Sequence, residues 1–77
     1  MPHVSISMYA GRSEAEKLEL AARITDAVKD VLRHGDDAVS VSIRDVAPAE
    51  WMDTVYRAEI AAHPDRLYKR PGYGPLK

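Results

Sequence analysis

The sequence predicts a single α/β domain, residues 1–77, built as a βαβ protomer. Three observations predict it: alternating apolar residues over 3–9, a capped helical pattern over 13–33, and a second alternation over 38–46. Strand, long helix and strand form one crossover unit, with parallel strands and a right-handed crossover expected.

In the first strand Val4, Ile6 and Met8 alternate with His3, Ser5 and Ser7, the period of a strand with one buried face. Ala10-Gly11-Arg12 breaks it. Ser13 and Glu16 have the spacing of a capping box, Ser at N-cap and Glu at N3. Behind them Leu18, Ala21, Ala22, Thr25, Val28 and Leu32 mark one helix side, widened by Leu20, Ile24, Ala27 and Val31. Lys17, Glu19, Arg23, Asp26, Lys29 and Asp30 fill the wet side. Arg33 and His34 suit the C-terminal dipole, and Gly35 stands where a C′ glycine belongs. After Asp36-Asp37, Val39, Val41 and Ile43 alternate with Ser40, Ser42 and Arg44.

Pro48 suits the start of a short helix along which Trp51, Val55, Ala58 and Ala62 are spaced helically. His63-Pro64-Asp65 interrupts it. A basic stretch, Arg66 to Arg70, leads into the turn-rich tail Pro71-Gly72-Tyr73-Gly74-Pro75.

Two strands and one helix do not complete a core, and the sheet edges stay open. A chain of 77 residues with no cysteine and no phenylalanine has few other means of stabilisation. Association that extends or covers the sheet is therefore expected.

Composition narrows the function. Eleven Lys and Arg balance twelve Asp and Glu, so the basic excess typical of nucleic-acid binding is missing. No apolar run approaches the ~20 residues of a membrane span, and Met1-Pro2-His3-Val4 lacks the pattern of a signal peptide. A soluble cytoplasmic protein with no membrane partner is expected. Thiol catalysis is excluded by the absence of cysteine. His3, His34 and His63 have no metal-ligand spacing, and no glycine-rich phosphate loop exists, so neither metal nor cofactor is expected.

The N-terminus remains. Proline in second place becomes first once Met1 is removed, and its nitrogen is then a secondary amine. An α-amino group titrates near ~7.7–8.0, and burial or nearby cations lower that value into the range of a general base at neutral pH. Arg12 precedes the helix N-cap, where a cation opposes the helix dipole. Arginine and helix N-terminus together favour an anion such as a carboxylate, although a solvated loop arginine fits equally well.

Pro2 opening a strand, Gly11-Arg12-Ser13 before a capped helix, and a second strand together resemble the 4-oxalocrotonate tautomerase family. Pro2-His3-Val4, Pro48-Ala49-Glu50-Trp51, Ala58-Glu59-Ile60-Ala61 and Lys69-Arg70-Pro71-Gly72-Tyr73 resemble its small bacterial phenylpyruvate tautomerase branch. The resemblance runs through nearly the whole chain. It implies a βαβ tautomerase-type protomer that works as a homodimer, or as a hexamer like the founding enzyme. It implies that Pro2 is the catalytic base, that Arg12 engages the substrate carboxylate, and that Trp51 is a pocket aromatic. The founding enzyme also has an arginine early in the second strand, where this chain has Ser40. That departure moves the implied substrate from a muconate-type diacid to a 2-oxo monocarboxylic acid with an apolar or aromatic tail.

The implied activity is cofactor-independent keto–enol tautomerisation of a phenylpyruvate-like acid, an isomerase reaction. Two alternatives stay open on the residues. The same proline could serve a hydratase, dehalogenase or decarboxylase of a small acid, with Glu50, Glu59 or the Arg66–Arg70 stretch recruited. If Met1 is retained, the proline nitrogen is an amide, and a non-catalytic oligomeric scaffold is the reading. Bland roles are also available: Trp51 as a core or interface residue, His3 as a hydrogen-bonded edge residue, Arg44 as an exposed strand residue. Tyr73, Lys69 and Arg70 could cover a neighbour's pocket, with a solvated tail the plainer reading.

Overall fold

A computed structural model describes residues 1–77. They fall into two compact units, Met1–Val46 and Ala47–Lys77.

The first unit is the βαβ element. Strand β1 (His3–Tyr9) and strand β2 (Ser40–Val46) pair in parallel, in register from His3 opposite Ser40 to Tyr9 opposite Val46. Helix α1 (Glu14–Leu32) joins them and packs on β2. The alternation read from the sequence is the observed pleat. Val4, Ile6, Met8, Val41 and Ile43 are half-buried, while His3, Ser5, Ser40, Ser42 and Arg44 are exposed. Only the start of the second strand differs from expectation. Asp36–Ala38 form a 3₁₀ turn, so pairing begins at Ser40.

Helix α1 starts as its sequence predicts. The Ser13 hydroxyl accepts from the Glu16 N–H, and the Glu16 carboxylate accepts from the Ser13 N–H, satisfying two otherwise orphaned donors. Its end differs. The left-handed residue is Arg33, φ 59°, and Gly35 has an ordinary extended conformation. Gly35 is therefore not the helix terminator.

The buried stripe is also rotated from the predicted one. Lys17, Ala21, Ile24, Thr25 and Val28 are half-buried, a run at spacings of four, three, one and three. Leu18 is 70% exposed and Leu32 55%. Lys17, expected on the wet side, lays its stem inward and puts its ammonium on Asp45 of β2 at 2.8 Å. With Lys17 facing β2, Leu18 lies about 100° further round the helix and is exposed. Of the whole first unit only Val46 is buried.

The second unit holds no strand. A 3₁₀ turn, Pro48–Glu50, leads into a π-helix, Met52–Ala61, and a second 3₁₀ turn, Pro64–Arg66, follows. The expected α-helical spacing is replaced by the i, i+5 spacing of a π-helix. Trp51 and Tyr56 form one such pair, Val55 and Ile60 another. Val55 and Tyr56 are buried and Ile60 half-buried, whereas Ala58 and Ala62 face solvent. No helix is long and apolar enough to cross a membrane.

Candidate active site

Pro2 lies immediately before β1 and is half-buried. Its carbonyl accepts the Ser40 N–H at 3.2 Å, which ties the chain start to the head of β2. His3 strengthens the tie. Its Nδ1 lies 2.6 Å from the Ser40 hydroxyl, and its Nε2 lies 3.4 Å from that of Ser42. The imidazole thus spans two serines of β2 on the exposed sheet face. Farther along that face, Arg44 donates to the Ser7 hydroxyl at 3.1 Å.

Arg12 sits at the other end of β1, after a turn in which Gly11 takes φ +122° and the Ala10 N–H donates to the Val46 carbonyl. Seven residues of strand at about 3.3 Å each place roughly 20 Å between Pro2 and Arg12. The two do not meet within one protomer.

Around Arg12 is a shallow cavity of about 180 Å³ lined by Met8, Arg12, Glu16, Lys17 and Leu20. Arg12 donates to Glu16 at 3.3 Å and remains two-thirds exposed. Glu16 is held below the ordinary carboxylate range, first by the Ser13 N–H and then by Arg12, with partial desolvation opposing both. The stability this gives is present at neutral pH and is lost as pH falls through the depressed value. Lys17 is raised, chiefly by its hydrogen bond to Asp45 and against desolvation. Its contribution is full below its ordinary value and is lost as pH rises through the raised one.

Trp51 belongs to the second unit. Its indole N–H donates to the Tyr73 hydroxyl at 2.7 Å. Tyr73 in turn stands against Tyr56, the rings edge to face at 5.3 Å. The Tyr56 hydroxyl donates to the Tyr73 carbonyl at 3.2 Å and accepts from the Leu76 N–H at 2.8 Å. Arg70 donates to the Leu76 carbonyl. The tail is therefore tied to the π-helix by these bonds, while Lys69, Arg70 and Tyr73 stay exposed to solvent.

Glu16 has a second role beside its capping one, which the capping signature hid. Tyr56 carries the tail and falls outside the expected 3.6-residue period. The pair it makes with Trp51 five residues earlier is the only sequence signal for it.

A parallel βαβ protomer of this size, opened by proline and with an arginine before its capped helix, is a small α/β unit whose two-stranded sheet has open edges. Residues 2–54 match the family described as tautomerase enzyme, and the chain belongs to that family. A probable tautomerase of Xylella fastidiosa (strain 9a5c) is 45% identical over 76 residues, 99% of this chain and 93% of that protein. Tautomerase PptA of Escherichia coli O127:H6 (strain E2348/69 / EPEC) is 36% identical over 74 residues, 95% of this chain and 97% of that protein. Among solved structures, TomN, a 4-oxalocrotonate tautomerase homologue in the tomaymycin biosynthetic pathway, aligns with a TM-score of 0.63. It is 28% identical over 65% of this chain and 77% of its own. The family and the βαβ fold read from the sequence are both borne out.

Proposed function

We propose that the protein tautomerises a 2-oxo monocarboxylic acid, phenylpyruvate-like, with the Pro2 amine as general base after Met1 is removed. The observation that carries this is the fixing of Pro2 at the head of β1 through Ser40. A base acts well only when its nitrogen is held at one place beside the reacting carbon.

The neutral amine takes the proton of the enol hydroxyl. As the carbonyl forms, C3 takes a proton from the ammonium, and the amine is neutral again. Arg12 holds the carboxylate through charge-assisted hydrogen bonds. Because Arg12 lies a strand length from the Pro2 of its own chain, it serves the Pro2 of a second protomer. Trp51, whose indole N–H is held by the Tyr73 hydroxyl, is the pocket aromatic that the family resemblance implies. Ser40, already engaged by His3, brings no second cation, which suits a monoacid.

The assembly is a homodimer working in the cytoplasm without a cofactor, with a hexamer the alternative. The exposed Leu18, Val31 and Leu32 give α1 an apolar surface for association.

Pro2→Ala and Arg12→Ala, assayed with phenylpyruvate, test the proposal. Pro2→Ala lowers kcat/KM by about 10²–10⁴-fold, the range of a lost general base. Arg12→Ala mainly raises KM. Mixing the two variants restores turnover through hybrid sites; a mixture as inactive as its parts rejects the shared site.

A further inference from the structure

We propose that Glu16 is a specificity-determining residue that limits the Arg12 site to ligands with one carboxylate. The inference rests on the reading of Arg12 as the carboxylate anchor.

The cavity beside Arg12 carries two cations and one carboxylate over an apolar floor of Met8 and Leu20. Both cations are already matched: Arg12 by Glu16 at 3.3 Å, Lys17 by Asp45 at 2.8 Å. Glu16 cannot withdraw freely. Its Oε1 accepts from the Ser13 N–H at 3.0 Å and from the Ser13 hydroxyl at 3.3 Å, while its Oε2 faces Arg12. Moving it away from Arg12 means undoing the helix cap.

Arg12 engages Glu16 through Nη1. A guanidinium has five N–H donors, so it can hold a carboxylate as well as Glu16. With both cations already matched, a single ligand carboxylate on Arg12 gives the site one net negative charge, and a second carboxylate adds to that charge. A second carboxylate on the same ligand meets a fixed negative charge across a cavity too small to separate them by a screening length, which is ~8–10 Å at physiological salt. The apolar floor of Met8 and Leu20 accepts a hydrocarbon tail at that place, and the one other cation of the lining, Lys17, is held by Asp45 at 2.8 Å. Glu16 thus acts in the same direction as the serine at position 40, from the opposite end of the strands.

The test uses two competitive inhibitors on one six-carbon diene skeleton, sorbate with one carboxylate and muconate with two. Their inhibition constants are measured against phenylpyruvate turnover in the wild type, Glu16→Gln and Arg12→Ala. Glutamine at N3 still accepts from the N-cap, so Glu16→Gln keeps α1 folded with only a small fall in Tm, which a thermal melt measures. The wild type binds sorbate more tightly than muconate. In Glu16→Gln that preference shrinks by about two- to threefold, mostly through tighter muconate binding, as expected for removal of one solvent-exposed like charge a few ångströms away. Arg12→Ala weakens both inhibitors. An unchanged preference in Glu16→Gln, with Arg12→Ala still impaired, overturns the role of Glu16 alone. Arg12→Ala with both constants unchanged overturns the Arg12 anchor, and this inference with it.

Discussion

The unit Met1–Val46 is joined by a strand ladder and a capped helix, whereas in Ala47–Lys77 one tyrosine, Tyr56, ties the tail to the π-helix. The first has a parallel ladder, a 19-residue helix and a complete capping box. It nevertheless buries a single side chain, Val46. The second has short 3₁₀ turns, a π-helix and a tail of turns, yet it buries two, Val55 and Tyr56. Regularity and burial are thus separate properties. A repeating pattern satisfies the backbone and leaves the faces it creates to be covered by association. An irregular segment has no ladder, so its backbone groups need side-chain partners, and the residue that supplies them becomes buried.

Five substitutions sharpen this contrast. The largest effect falls in the tail. Gly74 has φ +73°, and a Cβ there would lie 2.6 Å from the ring and hydroxyl of Tyr56. Gly74→Ala combines backbone strain with a clash and costs about 2–4 kcal/mol, read as a lower Tm. A melt like the wild type's would show that the tail packing does not contribute to stability.

Tyr56→Phe comes next. It removes the donor to the Tyr73 carbonyl and the acceptor for the Leu76 N–H. The cost is about 1–3 kcal/mol, and amide exchange at Leu76 accelerates. Protection unchanged at Leu76 would detach the tail from Tyr56.

In the first unit Ser13→Ala removes the cap of α1 and costs about 1 kcal/mol by denaturant unfolding. The acidic limit of this device is set by Glu16, whose depressed pKa makes its contribution fade as pH falls through that value. The gap in Tm between wild type and Glu16→Gln therefore closes on acidification; a gap that widens would contradict the assignment.

Gly35→Ala has the smallest effect. Gly35 has no positive φ, and nothing lies within 4 Å of the added Cβ. The change stabilises by about 0.4–1 kcal/mol through the unfolded chain, and a loss of stability would restore Gly35 as a helix terminator.

The same contrast explains what the sequence made legible. The strands and the Ser13–Glu16 cap are local, and period and spacing reveal them. The inward face of α1 was displaced because one ion pair, Lys17 with Asp45, is formed by residues 28 apart and has no local signature. The π-helix was read as an ordinary helix because periods of 3.6 and 4.4 place Trp51 and Val55 on a similar side, and only Tyr56 separates them. At the candidate site, Pro2 and Arg12 were legible as residue types. Their separation by a whole strand is a property of the fold, and so is the pairing of Arg12 with Glu16. Tyr73 was hidden by its surroundings, since Gly and Pro on either side usually indicate an open turn.

The proposed mechanism requires Pro2 to present a free, reactive amine beside an anion-binding group. Intact mass before and after exposure to 3-bromopyruvate at neutral pH, with mapping of any adduct, tests it most directly. The chain has no cysteine, so no thiol competes for the reagent. The predicted result is a mass lacking Met1 and a single adduct on the Pro2 nitrogen, formed more slowly in Arg12→Ala. A mass that retains Met1, or a free Pro2 that stays unlabelled, would contradict the account and leave the oligomeric scaffold in its place.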